Sequence, residues 1–306
     1  MINFKKLTTA FIAMTTACVL GGALGAGVGV TSASAKDIRI GGKDFTEQLI
    51  IAEITKQLLQ SKGYNVVKND GMGTKIVRAA LENGEIDMYW EYTGTSLVTF
   101  NKVKDKLSPE QTYEKVKELD AKKGLVWLMP SKANNTYAMA IRLDNPKTDG
   151  MTTISDMAAS YNASKPLMMG TTAEFPKRPD GLLGLQKVYG FEAGREYVKP
   201  MNLGLAYQAL GQGDLDVVSA QATDGMIAAM HLKLLKDDKN FFPNYALTPV
   251  VRQDFLDANP DVKGILESVS AKLTDDQMQK LNGEVDVEKK TIEAVASEFL
   301  KASNLM

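Results

Sequence analysis

Hydrophobic and polar positions first alternate at Ile38-Arg39-Ile40-Gly41, the period-2 signature of a short strand. Helical spacing follows at once. In QLIIAEITKQLLQSKG the residues Ile50, Ile54 and Leu58 fall on one face, Asp44 and Glu47 ahead of them have the spacing of a capping box, and Gly63 supplies the stop. Residues 65–68 read as the next strand, GMGT as a turn, 75–83 as a helix and 86–90 as a third strand. Strand, helix, strand, helix, strand with short links predicts a parallel sheet covered on both faces.

Ser108-Pro109-Glu110-Gln111 opens another helix through a capping box and a proline at its first position, and 126–128 returns as a strand. Residues 137–142 form a strand of mixed character that runs into the turn signal Asp144-Asn145-Pro146, where a lobe boundary is expected. The alternation then restarts, with helices from Thr153, after Arg178-Pro179-Asp180-Gly181, over 205–210 and from Asp224, and with strands at 167–170, near Val198 and at 215–219. FFPNYALTPVVR, with two prolines among apolar residues, suits an extended crossing segment. The tail predicts helices, with a capping box at Thr274 and Gln277 and a long amphipathic run over 287–300 that returns to the first lobe. The expected division is therefore 36–140 and 245–306 for the first lobe and 141–244 for the second, with two crossings between them.

One phrase occurs twice. Aligned from Ala80 and Ala209, both stretches read Ala-Leu, two residues, Gly, an acid, Ile or Leu, then Asp, and they lead into EYTGT and QATDG. A helix ending at Gly84 or Gly213 is followed each time by a strand whose carboxyl end carries a loop. Ligands of open parallel sheets bind outside such ends, so each lobe is expected to offer one edge to a cleft between them. Joints of this kind also recur in α/β proteins with no ligand at all.

The first 35 residues change the picture of location. Met-Ile-Asn-Phe-Lys-Lys, an apolar uncharged stretch over 7–30, and Ala33-Ser34-Ala35 follow the order of a cleavable secretory signal peptide, which predicts a periplasmic or extracytoplasmic protein. A retained membrane anchor and a lipid on Cys18 are the other readings of this segment; the residues Thr15-Thr16-Ala17 before Cys18 lack the usual leucine. Loss of Lys5 and Lys6 moves the formal charge from -1 to -3, so no polybasic surface for nucleic acid or anionic lipid is implied. Cys18 is the only cysteine and His231 the only histidine, which removes a thiol nucleophile, a His-rich or Cys-rich metal site and any triad not built on His231. No metal and no cofactor are expected. His231 is placed on a helix.

Tyr92, Tyr137 and Tyr245 stand where segments converge on the expected cleft. Three electron-rich rings suit a methylated ammonium group, which donates no strong hydrogen bond and is attracted to each ring by about 0.5 to 2 kcal/mol. Each tyrosine taken alone is equally an ordinary packing residue.

GGKDFTEQLIIAEI, WEYTGT, NNTYAMAIR, FPKRPDGLLGL, ATDG and DDKNFFPNYALTPVVR, in this order across nearly the whole chain after residue 35, resemble the substrate-binding proteins of osmoprotectant ABC importers, the glycine betaine, choline and carnitine family. The resemblance implies an α/β, two-lobed type II periplasmic-binding-protein fold with two crossover segments and a ligand cleft. By motif it implies a quaternary-ammonium cage of Tyr92, Tyr137 and Tyr245, and a carboxylate end of Lys43, Thr95 and Arg178, where Arg offers two parallel donors and Lys a point charge. It departs at Gln221, where the family often has a further aromatic just before Thr-Asp-Gly. Trp90 is the candidate for a replacement wall, although core packing accounts for it equally.

The function implied is capture of a quaternary-ammonium compound and its delivery to ABC permease subunits by a monomer, without chemical transformation and without nucleic acid. Another zwitterion, such as a histidine-derived betaine, an amino acid or a sulfonium, is the alternative cargo. An enzyme on the same scaffold would need a nucleophile or metal set at the cleft, and a sensor would need the N-terminal segment retained.

Overall fold

The computed structural model describes residues 37–306. The expected signal segment and Cys18 lie outside the described residues. The elements in chain order are β1 (Ile38–Lys43), α1 (Thr46–Ser61), β2 (Val66–Met72), α2 (Thr74–Glu82), β3 (Met88–Tyr92), the single turn α3 (Thr93–Thr95), α4 (Pro109–Ala121) and β4 (Leu125–Trp127). They continue with β5 (Tyr137–Ile141), α5 (Ile154–Asn162), β6 (Met169–Thr171), α6 (Leu182–Tyr189), β7 (Val198–Pro200), α7 (Leu203–Gln212), β8 (Val217–Gln221), α8 (Gly225–Ala229) and β9 (Lys233–Leu235). The return is β10 (Leu247–Arg252), α9 (Gln253–Ala258), α10 (Asp261–Ser270), α11 (Asp275–Asp286) and α12 (Ile292–Ala302). Among the described residues no helix is long and apolar enough to cross a membrane.

Two five-stranded sheets carry the two lobes, in the orders β2-β1-β3-β10-β4 and β7-β6-β8-β5-β9. Neither sheet is all parallel. In the first, β1 runs parallel to β2 and β3 while β10 runs antiparallel to β3 and β4; in the second, β6 runs parallel to β7 and β8 while β5 runs antiparallel to β8 and β9. The antiparallel member of each sheet is the strand that follows a crossing, because the chain enters that lobe at its cleft end and must run away from it.

β5 belongs wholly to the second sheet, so the first crossing is complete before Tyr137 and not at the expected 140/141 boundary. The two crossings lie side by side: Asn134 bridges Ala246, Asn135 N donates to the Tyr245 carbonyl at 3.2 Å, and Leu247 N donates to the Ala133 carbonyl at 3.0 Å.

The tail packs back on the first lobe. Ile50, Ile51, Ile54 and Leu58 of α1 share one buried cluster with Met278 and Leu281 of α11 and Val295, Phe299 and Leu300 of α12. Each such side chain contributes about 1.5 to 3 kcal/mol when fully buried. The expected helical run over 287–300 starts late: 287–291 links α11, which ends at Asp286, to a fresh helix that Thr291 caps by accepting from Ala294 N. Ser108 and Gln111 form a full capping box, whereas Thr274 supplies its half alone. Asp44 and Glu47 form none; Phe45 occupies the cap position, and Glu47 is turned into the protein.

The repeated phrase has a structural reading. Gly84 and Gly213 take left-handed backbone, φ 75° and 86°, where a side chain is strained. The aspartates three residues on do the same work in each lobe. Asp87 accepts from Arg39 N at 2.8 Å while its own N–H donates to the Arg39 carbonyl at 2.8 Å; Asp216 accepts from Met168 N at 2.9 Å and its N–H donates to the Met168 carbonyl at 2.8 Å. Each pins the start of the central strand to its parallel neighbour. Those strands then end at Tyr92 and Gln221.

Candidate functional site

Tyr92 closes β3, Tyr137 opens β5, Tyr245 stands just ahead of β10, and Gln221 closes β8, so all four sit where strand ends meet the crossings. Lys43 is the last residue of β1, Thr95 lies in the turn after β3, and Arg178 precedes the loop into α6. These seven residues line one cavity of about 30 Å³ together with Phe45, Thr74 and Asn135. That volume holds roughly one water molecule. On the side of Phe45, Thr74, Tyr137 and Gln221 it adjoins a wider cleft of about 570 Å³.

Four rings wall the small cavity. Tyr137 meets Tyr245 edge-on, with centroids 5.5 Å apart and planes at 85°, while Phe45 and Tyr92 lie near-parallel at 6.2 Å. Phe175 and Phe242 back Tyr137 at 5.0 and 5.7 Å. Trp90 is not a wall. Its Nε1 donates to Thr55 Oγ1 at 2.9 Å inside the core of the first lobe.

The cations at the site already have partners. Lys43 Nζ contacts Glu91 Oε1 at 2.5 Å and stands 4.8 Å above the Tyr92 ring; burial holds its pKa below the ordinary lysine value, with Glu91 opposing. Arg178 donates from Nε and Nη2 to the two oxygens of Asp180 at 2.9 and 2.5 Å, reaches Thr95 Oγ1 at 3.4 Å, and places its guanidinium 5.7 Å from the Tyr137 centroid. Tyr245 OH donates to the same Asp180 at 2.9 Å. Burial raises the Tyr137 hydroxyl to about 12 and the Tyr92 and Tyr245 hydroxyls well above their ordinary value, so all three are neutral phenols at physiological pH.

Glu47 organises the opposite side. It is 2 % exposed, and its partners among the described residues are neutral donors. Its oxygens accept from Tyr92 OH at 2.8 Å, Asn135 Nδ2 at 2.9 Å, Thr223 Oγ1 at 2.5 Å and Asn282 Nδ2 at 3.2 Å. Burial raises its pKa, and those four donors oppose the rise. The network joins both lobes and a crossing: Glu47 and Asn282 belong to α1 and α11, Thr223 follows β8, and Asn135 lies in the first crossing. Asn282 also donates to the Thr223 carbonyl at 2.9 Å, and Gln279 Nε2 to the Ala222 carbonyl at 2.8 Å. Beside them Gly225 and Gly283 approach so closely that a Cβ on Gly225 would lie 2.5 Å from the Gly283 backbone.

Comparison with known proteins decides the family. Residues 36–302 match the model described as the substrate binding domain of ABC-type glycine betaine transport systems. The chain belongs to that family. This substrate-binding domain is 39 % identical over 280 residues to the glycine-betaine-binding protein of Pseudomonas aeruginosa, covering 90 % of each chain. It is 34 % identical over 284 residues to the carnitine transport binding protein of Listeria monocytogenes, again covering 90 % of each. Among solved structures, one described as a glycine betaine/carnitine/choline ABC transporter superposes with a TM-score of 0.69 at 32 % identity, over 88 % of this chain and 99 % of that one. The two-lobed α/β fold expected from sequence is the fold of this family.

The residues that sequence reasoning passed over are Phe45, Glu47, Asn135 and Asp180. Glu47 had a signal: it sits three and four positions before Ile50 and Ile51, so it is an acid on the apolar stripe of α1. Phe45 and Asn135 stand inside the motifs that carry the family resemblance, but neither residue type announces a ligand contact by itself. His231 lies beyond the end of α8, exposed, with φ 52°, and lines neither cavity. Among the described residues no group of three or more His, Cys, Asp or Glu is placed to hold a metal ion.

Proposed function

We propose that this substrate-binding protein closes its two lobes around a quaternary-ammonium compound of the glycine betaine, choline or carnitine type and presents it to the permease subunits of an ABC importer. The observation that carries the reading is the convergence of four aromatic rings, from the start of α1, from β3, from β5 and from the second crossing, on one cavity beside a buried arginine and lysine. Tyr92, Tyr137, Tyr245 and Phe45 hold the trimethylammonium, and Gln221 closes the remaining side. Lys43, Thr95 and Arg178 receive the carboxylate where the ligand has one. The cavity of about 30 Å³ is smaller than any such ligand, so entry requires the lobes to part and the Arg178–Asp180 and Lys43–Glu91 pairs to readjust. Binding thereby selects a closed form for the permease to recognise.

The protein is read as an exported monomer cleaved after Ala35, acting outside the cytoplasm without transforming its cargo. The lobes are read as residues 37–127 with 247–306, and 137–235, following the sheets. Calorimetric titration of exported protein with glycine betaine, choline and carnitine tests the function, and Tyr245→Ala should abolish the response. Saturable binding of none of them would refute it. Intact-mass measurement on the same material should give a chain starting at Lys36; a mass that retains residues 1–35, or a lipid on Cys18, would refute the cleaved form.

A further inference from the structure

The side of the cage that carries no ring is an oriented pair of amides. Asn135 is 5 % exposed and lines the cavity. The carboxylate of Glu47 accepts, so the Asn135 amide turns its Nδ2 toward Glu47 Oε1 at 2.9 Å, and the same nitrogen donates to Gln221 Oε1 at 3.1 Å. Two consequences follow for the atoms on the other branches. Asn135 Oδ1 is buried with no hydrogen-bond partner. Gln221, having turned its oxygen to Asn135, has its Nε2 donor facing away from that residue.

A buried acceptor without a partner is costly, and native proteins rarely keep one without a use. Beside a trimethylammonium it is also misplaced as a mere wall, since the methyl groups give it no strong donor. A group that both donates and accepts satisfies the pair: it gives its hydrogen to Asn135 Oδ1 and takes one from Gln221 Nε2. Glycine betaine has acceptors only. A hydroxyl has both.

The wider cleft supports the same assignment. It adjoins the cage at Phe45, Thr74, Tyr137 and Gln221, so a substituent on the ammonium has room on the Gln221 side.

We infer that Asn135 and Gln221 are specificity-determining residues that recognise a hydroxyl group on the quaternary-ammonium ligand, with Glu47 fixing the orientation of the pair. The inference rests on the proposed function and names the ligand class within it: a hydroxyalkyl trimethylammonium compound.

Matched probes separate this claim from the reading beneath it. Choline and ethyltrimethylammonium differ only in the hydroxyl, as do carnitine and γ-butyrobetaine. In calorimetric titrations the wild type should prefer the hydroxylated member of each pair by roughly ten-fold or more, the size expected when a buried polar atom gains its partner. Asn135→Leu should bring both ratios close to one while ethyltrimethylammonium still binds. Gln221→Met, which keeps the chain length and deletes both polar atoms, should lower the ratios while leaving Asn135 and Glu47 in place, so it serves if Asn135→Leu does not fold. Wild-type ratios within two-fold, with both members bound, would overturn hydroxyl recognition and leave the quaternary-ammonium reading standing. Loss of affinity for both members with the ratio intact in the variants would reduce the amide pair to a structural role and overturn the assignment. Failure of the wild type to bind any of the four would overturn the inference together with the function it rests on.

Discussion

Replacing Arg178 with alanine should damage the protein before any ligand is added. The guanidinium is 7 % exposed, is held by both oxygens of Asp180 at 2.9 and 2.5 Å, and covers the Tyr137 ring. Its removal leaves Asp180, 3 % exposed, with Tyr245 OH as its remaining side-chain donor. Breaking a buried ion pair by deleting one partner costs about 3 to 5 kcal/mol. For a chain of this size each kcal/mol lowers Tm by roughly 2 to 4 °C, so Arg178→Ala should melt about 6 to 20 °C below the wild type in a calorimetric scan without ligand. Most of that loss comes from the stranded carboxylate. The double variant Arg178→Ala/Asp180→Asn should therefore recover part of it, giving a coupling of at least about 1.5 kcal/mol in the mutant cycle. A Tm for Arg178→Ala within 2 °C of wild type, or additive losses in the cycle, would refute the reasoning. Affinity is then compared at a temperature where the variant is folded: ligands with a carboxylate should lose far more than choline, and equal losses would remove Arg178 from the carboxylate end.

Four further outcomes are expected. Glu47→Gln sets an amide donor against two of the four donors around Glu47; with hydrogen bonds to a charged group worth about 1.5 to 3 kcal/mol each, the variant should melt earlier and show a larger radius of gyration by small-angle scattering, and an unchanged radius would deny Glu47 a part in closure. Gly225→Ala places a Cβ 2.5 Å from the Gly283 backbone and should open the same seam, again read by scattering, whereas Gly264→Ala, which meets nothing within 4 Å, should not. Burial raises the Asp224 carboxyl from 3.8 to about 7. A carboxyl raised on folding contributes stability that is complete below its unfolded pKa and is lost as pH rises through the folded one, so the wild type should lose Tm relative to Asp224→Asn between pH 4 and 7, and a constant difference across that range would refute it. Gln221→Tyr adds a ring face worth on the order of 1 kcal/mol to a trimethylammonium, so it should tighten glycine betaine several-fold and weaken choline relative to it; no change for either would place residue 221 outside the site.

Local pattern carried much of the fold. Period-2 and helical spacing located β1 and α1, Arg178-Pro179-Asp180-Gly181 announced α6, and Ser108-Pro109 marked the start of α4, because those signals arise within a few neighbouring residues. Strand direction was not legible. Nothing within the sequence of β5 or β10 records that it will run antiparallel to β8 or β3; that follows from the side on which a crossing delivers the chain. The start of α12 was placed five residues early, at Val287 and not Ile292, because Val287 has apolar spacing to the helix while Thr291 is the residue that caps it. At the site, Tyr92, Tyr137 and Tyr245 stood out only as a set, because three aromatics fell where segments converge, and Lys43, Thr95 and Arg178 came through the family motifs. Glu47 was misread since the same carboxylate has the spacing of a cap, and only the tertiary fold decides between capping a helix and facing a cleft.

The repeated phrase divides into a part that builds and a part that differs. Gly84 with Asp87 and Gly213 with Asp216 perform one task, ending a helix in left-handed backbone and pinning the central strand to its neighbour, so their recurrence is accounted for without any ligand. What these joints achieve is to deliver the last residue of each strand to the same cleft from opposite lobes. There the two copies part company: β3 ends in Tyr92, whose hydroxyl is tied to Glu47, and β8 ends in Gln221, which reaches the same Glu47 through Asn135. A single buried carboxylate thus sets the orientation of both strand ends. Since Glu47 lies in the first lobe and also receives Thr223 from the second, it can hold both groups in register only when the lobes are together. On the proposed function closure and selection of the ligand are one event, and a substitution at Glu47 should disturb both while a substitution at Gln221 disturbs selection alone.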